Sequence, residues 1–399
     1  MQTELLKMVL GRASSLFAGE IDRRREQIAD AARRSRILVI GAAGSIGAAF
    51  VKALLPFGPA SLHLVDLSEN NLVWLVRDLR ADGLVMTEDF HTYAIGFESE
   101  EFALFLKERG PFDYVLNFAA LKHVRSERDP YTLMRLLRVN VLANAALAGL
   151  LRGSGVRRVF CVSSDKAVNP ASVMGASKAF MERVYLAQAP GLSFTSARFA
   201  NVAFSAGSLL ESFLTRLEKR QPLAAPTDVR RYFISAAEAG ELCLLAAFLG
   251  QDREIFTPRL DPRQDLKSFS DIAEAILERR GFRPVACATE SEALERAAQL
   301  GPESREWPCM FTPSNTSGEK PCEEFLYPGE RVDDRRLENI LVVTGPRQTD
   351  PQVVQQVLNR LWALLASGHW DHAGLIRLVQ TAVPEFQHMA RQNNLDHKI

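Results

Sequence analysis

The sequence has no excess of either charge: 48 Lys and Arg residues balance 48 Asp and Glu residues. Such a chain carries no electrostatic footprint for nucleic acid or for an anionic membrane. Cysteine is scarce and unpatterned. Cys161, Cys243, Cys287, Cys309 and Cys322 are odd in number, scattered, and form no C-x-x-C pair. That excludes a disulfide framework and points to reduced thiols in a cytosolic protein. Long apolar runs are also lacking. Residues 37–51 are nearly all apolar, yet glycine-rich and too short for a spanning helix. Residues 1–35 lack a signal peptide's layout, because their basic cluster follows the apolar stretch instead of preceding it. There is no internal repeat or low-complexity tract. His369 and His372 are close in sequence without a third ligand, so no metal site is expected.

What is present reads as an α/β chain of 399 residues, long enough for one large domain or two ordinary ones. Residues 36–40 form a short buried strand, followed by Gly41-Ala-Ala-Gly44-Ser45-Ile46-Gly47 and an apolar helix. Gly41 permits a tight turn, Gly44 lets a pyrophosphate approach the backbone, and Gly47 lets helix and strand pack closely. Ser45 and Ile46 complete this cofactor loop. Residues 61–65 are the second strand, and Asp66 ends it, about twenty residues past the glycines. A carboxylate there accepts hydrogen bonds from ribose hydroxyls and repels a 2′-phosphate, so NAD is expected over NADP. Further strands are expected at 92–95, 114–118, 156–162, 193–198 and 254–257, with small Ala119 and Ala120 beside the cofactor. Helices are expected at 267–280, 352–366 and 372–380, and residues 287–310 are irregular.

The densest chemistry lies in residues 162–178. The apolar run 156–162 ends in a loop carrying Ser163, Ser164, Asp165 and Lys166. Pro170 breaks the path, and a helix restarts at Ser172 or Val173. Met174 and Lys178 then share one helix face, one turn apart. A carboxylate and an amine side by side at a strand's C-terminal end are a candidate acid/base pair.

This stretch, with Ser163 and a pair spaced as in Y-x-x-x-K, resembles the active site of the extended short-chain dehydrogenases, with Met174 in the tyrosine's place. With Asp165-Lys166 included, it is similar to the UDP-N-acetylglucosamine 4,6-dehydratases of capsular polysaccharide biosynthesis. The resemblance covers roughly residues 36 to 335. Ala119-Ala120-Leu121-Lys122-His123-Val124 matches its A-A-x-K-H-V, and Arg198-Phe199-Ala200-Asn201-Val202 its R-F-x-N-V. Residues 230–235 match T-R-Y-F-M-T, and Glu319-Lys320 stands in a loop similar to P-G-E-K that runs on as E-K-x-x-E-E-F.

The resemblance implies a Rossmann-type doubly wound parallel sheet with a smaller mixed α/β substrate domain and helical N- and C-terminal extensions. The expected division is a helical arm at 1–35, an NAD-binding domain at 36–200, a partly interleaved nucleotide-sugar region at 201–335, and a helical extension at 336–399. The implied reaction oxidises sugar C4, eliminates water across C5 and C6, and returns the hydride to C6, giving a UDP-4-keto-6-deoxy-N-acetylhexosamine. Lys166 is the expected base at C5 and Asp165 the acid at C6. Ser163 or Ser164 would bond the C4 oxygen, and Lys178 the nicotinamide ribose, with Asn140 supporting the cofactor side. Lys166 through a water, or Asp165 itself, would accept the C4 hydroxyl proton, since methionine cannot titrate. Lys122, His123, Asn201, Ser208, Arg231 and Glu319 would meet the sugar nucleotide, Ser208 at a helix start and Arg231 on the diphosphate. Alternatives are a C4 epimerase or dehydrogenase, and a non-catalytic nucleotide-sugar-binding protein. Some relatives carry a membrane-embedded N-terminal region, which is not recognisable here. A cytoplasmic homo-oligomer with no nucleic-acid partner and no membrane insertion is expected.

Overall fold

The apolar runs become the inner strands of one large sheet. In the computed structural model, which describes residues 2–187, 191–314 and 319–389, these are β1 (Arg36–Ile40), β2 (Ser61–Asp66), β3 (Asp89–Ala94), β4 (Tyr114–Asn117), β5 (Arg158–Val162) and β6 (Phe194–Ala197). They pair in parallel in the order β3-β2-β1-β4-β5-β6. Glu254–Pro258 adds a further parallel strand beside β6. Ile340–Gly345 then pairs antiparallel with it, and Arg331–Asp333 closes that edge, giving nine strands. β1, β4 and β5 are almost wholly buried, as parallel strands covered by helices on both faces must be. The order reverses between β1 and β4, so the carboxyl ends of those strands diverge and leave a crevice there.

Two smaller sheets of three strands each accompany the large one. Arg230–Ile234 pairs antiparallel with Leu266–Ser268 and parallel with Asn201–Val202. Leu223–Pro226, Glu306–Thr312 and Arg283–Ala286 form a second parallel group. Together with the helices Leu209–Glu218 and Phe269–Arg279 they enclose a separate apolar cluster around Phe213, Ile276 and Trp307. The region 287–310, expected to be irregular, holds the helix Glu290–Ala298 and the strand Glu306–Thr312. Both signals are weak in sequence: the helix buries only Ala293 and Ala297, and Pro308 sits in mid-strand, where proline argues against a central strand.

Helices Gln2–Leu10 and Ala18–Arg33 occupy the expected arm. The segment from 336, expected to be helical, opens with the strand Ile340–Gly345 before the helices Pro351–Ser367 and His372–Ala382. Residues 130–151 are, among the described residues, the one helical stretch long and apolar enough to cross a membrane, and 67% of its window is buried within the protein.

Candidate active site

The glycine loop is shaped by close approach. Gly41 has φ +70°, and a Cβ there would stand 2.5 Å from the Ala119 nitrogen. A Cβ on Gly47 would meet the Gly41 carbonyl oxygen at 2.1 Å, whereas one on Gly44 would meet only that oxygen, at 3.5 Å. Gly41 and Gly47 are therefore demanded by the chain itself, and Gly44 leaves bare backbone toward solvent at the head of the helix Ser45–Leu54. Ser45 and Ile46 form that helix's first turn. Asp66 accepts from the Ala43 and Ser68 backbone N–H groups, both at 2.9 Å. Gly41, Gly44, Asp66, Phe97, Ala119 and Ala120 line a crevice of about 220 Å³. Bare backbone, a helix N-terminus and a carboxylate fit a dinucleotide. Asn140 lies off this crevice. It is buried, accepts from Leu121 N, and donates to Leu121 O and Ser177 Oγ, each at 2.9 Å. Its amide thus fixes the loop after β4.

At the end of β5, Ser164 caps a single 3₁₀ turn, Asp165–Ala167. Asp165 is 1% exposed. Its Oδ1 accepts from Ser164 Oγ at 2.7 Å, Lys166 N at 2.8 Å and Lys166 Nζ at 3.2 Å. Its Oδ2 is buried with no hydrogen-bond partner among the described residues, as is Asn201 Nδ2. Lys166 Nζ also donates to Asn201 Oδ1 at 3.2 Å and lies 4.0 Å from Glu323. Ser163 turns the other way and donates to buried Glu182 at 2.5 Å. That commits the Ser163 proton to the interior and leaves Ser164 on the Asp165–Lys166 pair.

Lys166 and Met174 face a cavity of about 500 Å³ shared with Lys122, His123, Ser208, Arg231 and Glu319. Asn201 joins through Lys166, and Asp165 lies beneath it. Lys122 donates to Ala206 O at 2.7 Å, and burial lowers the pKa of its amine. Burial also lowers that of His123, with the Lys122 charge adding to the effect. Ser208 caps its helix by accepting from Glu211 N at 3.2 Å. Lys178 is buried against Val162 O at 3.0 Å, and desolvation brings its amine down to about 8.

Arg231, expected at a diphosphate, is 3% exposed and occupied by protein. Its guanidinium donates to the carbonyls of Arg230 and Lys320 at 2.9 and 2.8 Å and lies 3.4 Å from Glu319 and 3.9 Å from Glu323. Glu319 in turn accepts from Ser314 Oγ. The preceding loop residues 315–318, Ser317 and Gly318 among them, lie outside the described residues. Sequence reasoning missed Glu323, a buried carboxylate on the cavity wall within ion-pair reach of Lys166, Arg231 and Lys320. Its signal was the E-K-x-x-E-E-F run. Glu324, the next residue of that run, is exposed and accepts from Asn169 instead.

A family described as "Polysaccharide biosynthesis protein" has a model that matches residues 37–344, beyond the limit of 335 expected from motifs. An uncharacterized membrane protein of Methanocaldococcus jannaschii is 31% identical over 262 residues, 62% of this chain and 73% of that protein. The probable polysaccharide biosynthesis protein EpsC of Bacillus subtilis is 30% identical over 261 residues, 64% of this chain and 42% of EpsC. The chain thus spans less than half the length of EpsC. Among solved structures, a double mutant of the dTDP-glucose 4,6-dehydratase DesIV from Streptomyces venezuelae, with NAD and DAU bound, superposes with a TM-score of 0.55. It is 20% identical, covering 73% of this chain and 88% of that one, a likeness of fold.

Proposed function

The chain belongs to the polysaccharide biosynthesis protein family, a branch of the extended short-chain dehydrogenases, and from that premise we propose that it is a UDP-N-acetylglucosamine 4,6-dehydratase. The observation that carries this reading is the Asp165–Lys166 pair, 3.2 Å apart, at a cavity whose other reactive position holds Met174. A C4 epimerase or a simple sugar dehydrogenase of this superfamily relies on a tyrosine at that position, and a thioether takes no proton. Elimination needs something different: a base and an acid acting on neighbouring carbons.

Two adjacent groups meet that need. Asp165, directly or by way of Lys166, takes the C4 hydroxyl proton, and neutral Lys166 takes the proton on C5. Asp165 then protonates the C6 hydroxyl, which leaves as water, and Lys166 returns its proton to C5. Two protons are taken and two are given back, so the pair ends as it began. The glycine loop, Asp66 and Lys178 would hold NAD, which would supply the hydride acceptor for C4 and the hydride donor for C6. NAD in the bound DesIV structure supports that choice of cofactor. Ser164 orients Asp165, and Asn201 orients Lys166. Lys122, His123, Ser208 and Glu319 form the nucleotide-sugar wall, with Arg231 serving the diphosphate once its loop contacts yield. In this reading residues 36–200 hold the cofactor and 201–335, partly interleaved with them, the sugar nucleotide, with the helical segments 1–35 and 336–399 flanking both. The enzyme works as a cytoplasmic homo-oligomer where nucleotide sugars are made.

The test is incubation with UDP-N-acetylglucosamine in deuterated water without added reductant, followed by mass and proton NMR spectra. Loss of one water with deuterium at C5 is expected, and Lys166→Ala should bind cofactor but eliminate nothing. Unchanged mass with UDP-N-acetylgalactosamine appearing would establish the epimerase. Binding without any conversion would favour the non-catalytic reading.

A further inference from the structure

The helices Pro351–Ser367 and His372–Ala382 lie beyond the family match, which ends at residue 344. Their apolar residues, among them Leu358, Leu361, Leu375 and Val379, share one buried cluster with Val173, Met174 and Phe180 of the helix Val173–Ala187. After Ala382 the chain doubles back along the reactive loop. Gln387 N donates to Pro170 O at 3.1 Å, and Met389 N donates to Ala171 O at 3.0 Å. On the loop's other side, Tyr327 Oη donates to Ala167 O and Lys320 Nζ to Val168 O. Between residues 167 and 171, only the Asn169 carbonyl lacks such a distant donor among the described contacts, and Asn169 itself sits at φ +43°. Asparagine adopts that region more readily than most residues, and here contacts on both sides hold it there.

The returning segment is anchored twice more. Arg183, 2% exposed, donates to Ala382 O at 2.7 Å and to Glu385 at 2.6 Å. Glu127, 8% exposed, accepts from Met174 N at 2.7 Å through one oxygen, while its other oxygen lies 3.6 Å from His388 Nε2. His372 Nε2 donates to the Glu127 carbonyl at 2.6 Å. One carboxylate therefore joins the first turn of the active-site helix to the C-terminal segment. We propose that residues 382–389 latch the reactive loop, and that Glu127 is the positioning residue through which the latch sets Lys166 and Met174. This rests on the reading of Asp165 and Lys166 as the reacting pair. The latch contacts neither; it fixes the carbonyls and the helix turn that hold them, and a misplacement of about 1 Å can cost on the order of 100-fold in rate.

The test uses the full chain as Glu127→Ala, Glu127→Gln and Phe386→Ala. It reads amide hydrogen exchange across residues 165–175, together with kcat and KM for UDP-N-acetylglucosamine. Glu127→Ala and Phe386→Ala should speed exchange in 165–175 and lower kcat by roughly 10- to 100-fold, with KM within roughly twofold. Glu127→Gln keeps an acceptor for Met174 N and should recover most of kcat. Faster exchange confined to residues 372–389, or an unchanged kcat with a loosened loop, would overturn the proposal. So would equal losses in Glu127→Ala and Glu127→Gln. If Phe386→Ala exposes β1 to β6 as well, the two Glu127 variants decide. Exchange is read without turnover, so a wild-type protein inactive on this sugar would count against the dehydratase reading while the exchange arm still decides the latch.

Discussion

On the proposed function, Asp66 would set the choice of cofactor through its position and its charge. Its oxygens hold the Ala43 and Ser68 N–H groups, and the same carboxylate would oppose a 2′-phosphate. Asp66→Ala should weaken NAD by roughly 10-fold or more, about 1.4 kcal/mol, while NADP loses less or gains. Fluorescence titration of both dinucleotides checks this, and a larger loss for NADP would refute the assignment. Asp66 was legible because its distance from the glycines is fixed by one helix and one strand. Asp165 and Lys166 were legible because neighbours in sequence are neighbours in space. Glu323 was not, since only the fold brings residue 323 within 4.0 Å of Lys166. Arg231 was expected on a diphosphate, and neither its burial nor its partners were legible, because the loop carbonyls and carboxylates that occupy it come from residues 319–323.

The turn from β1 into its helix separates two demands that a glycine pattern merges. A Cβ on Gly47 would meet a backbone oxygen at 2.1 Å, where no side chain can swing aside. A Cβ on Gly44 meets only ordinary contact at 3.5 Å, and Gly44 lines the crevice. Gly47→Ala should therefore cost roughly 1–3 kcal/mol or more of stability. Gly44→Ala should stay within about 0.5 kcal/mol of wild type and weaken the dinucleotide instead. Urea unfolding alongside NAD titration distinguishes them, and equal stability losses would show that the loop's shape, not its exposure, explains both glycines. Strand–turn–helix units such as this one are legible because steric demand and hydrophobic period agree. They disagreed in Glu306–Thr312, where Pro308 stands in the middle strand of its sheet, in register with Val285. Pro308 has no N–H to give, and Trp307 and Cys309, both buried, supply the packing that holds the strand in place.

Segments far apart in the chain meet on one buried charge. Arg198, fully buried at the end of β6, donates to both oxygens of Glu182 at 3.0 and 2.7 Å and to both oxygens of Glu330 at 3.0 and 2.7 Å. Burial works against its charge, but the two carboxylates outweigh burial and push its pKa up. Glu182 also accepts from Ser163, two residues before Asp165, and Glu330 accepts from the Tyr327 and Arg347 backbone. A sequence motif shows Arg198 in R-F-x-N-V, but partners 16 positions before it and 132 after it are visible only once the sheet has formed. Arg198→Met leaves two carboxylates buried without a cation. It should cost about 3–5 kcal/mol, the usual penalty for breaking a buried pair from one side. Arg198→Met with Glu182→Leu and Glu330→Met removes the stranded charges and should regain much of that loss, because desolvating an ion triad is itself expensive. Ser163 would then lose its acceptor, so the triple variant should fold better than the single one yet turn over more slowly than wild type. Urea midpoints and elimination rates measured on the same preparations check both halves. A single variant that loses less than about 1 kcal/mol would mean that water reaches this site and that the charges are not what ties the sheet to its C-terminal edge.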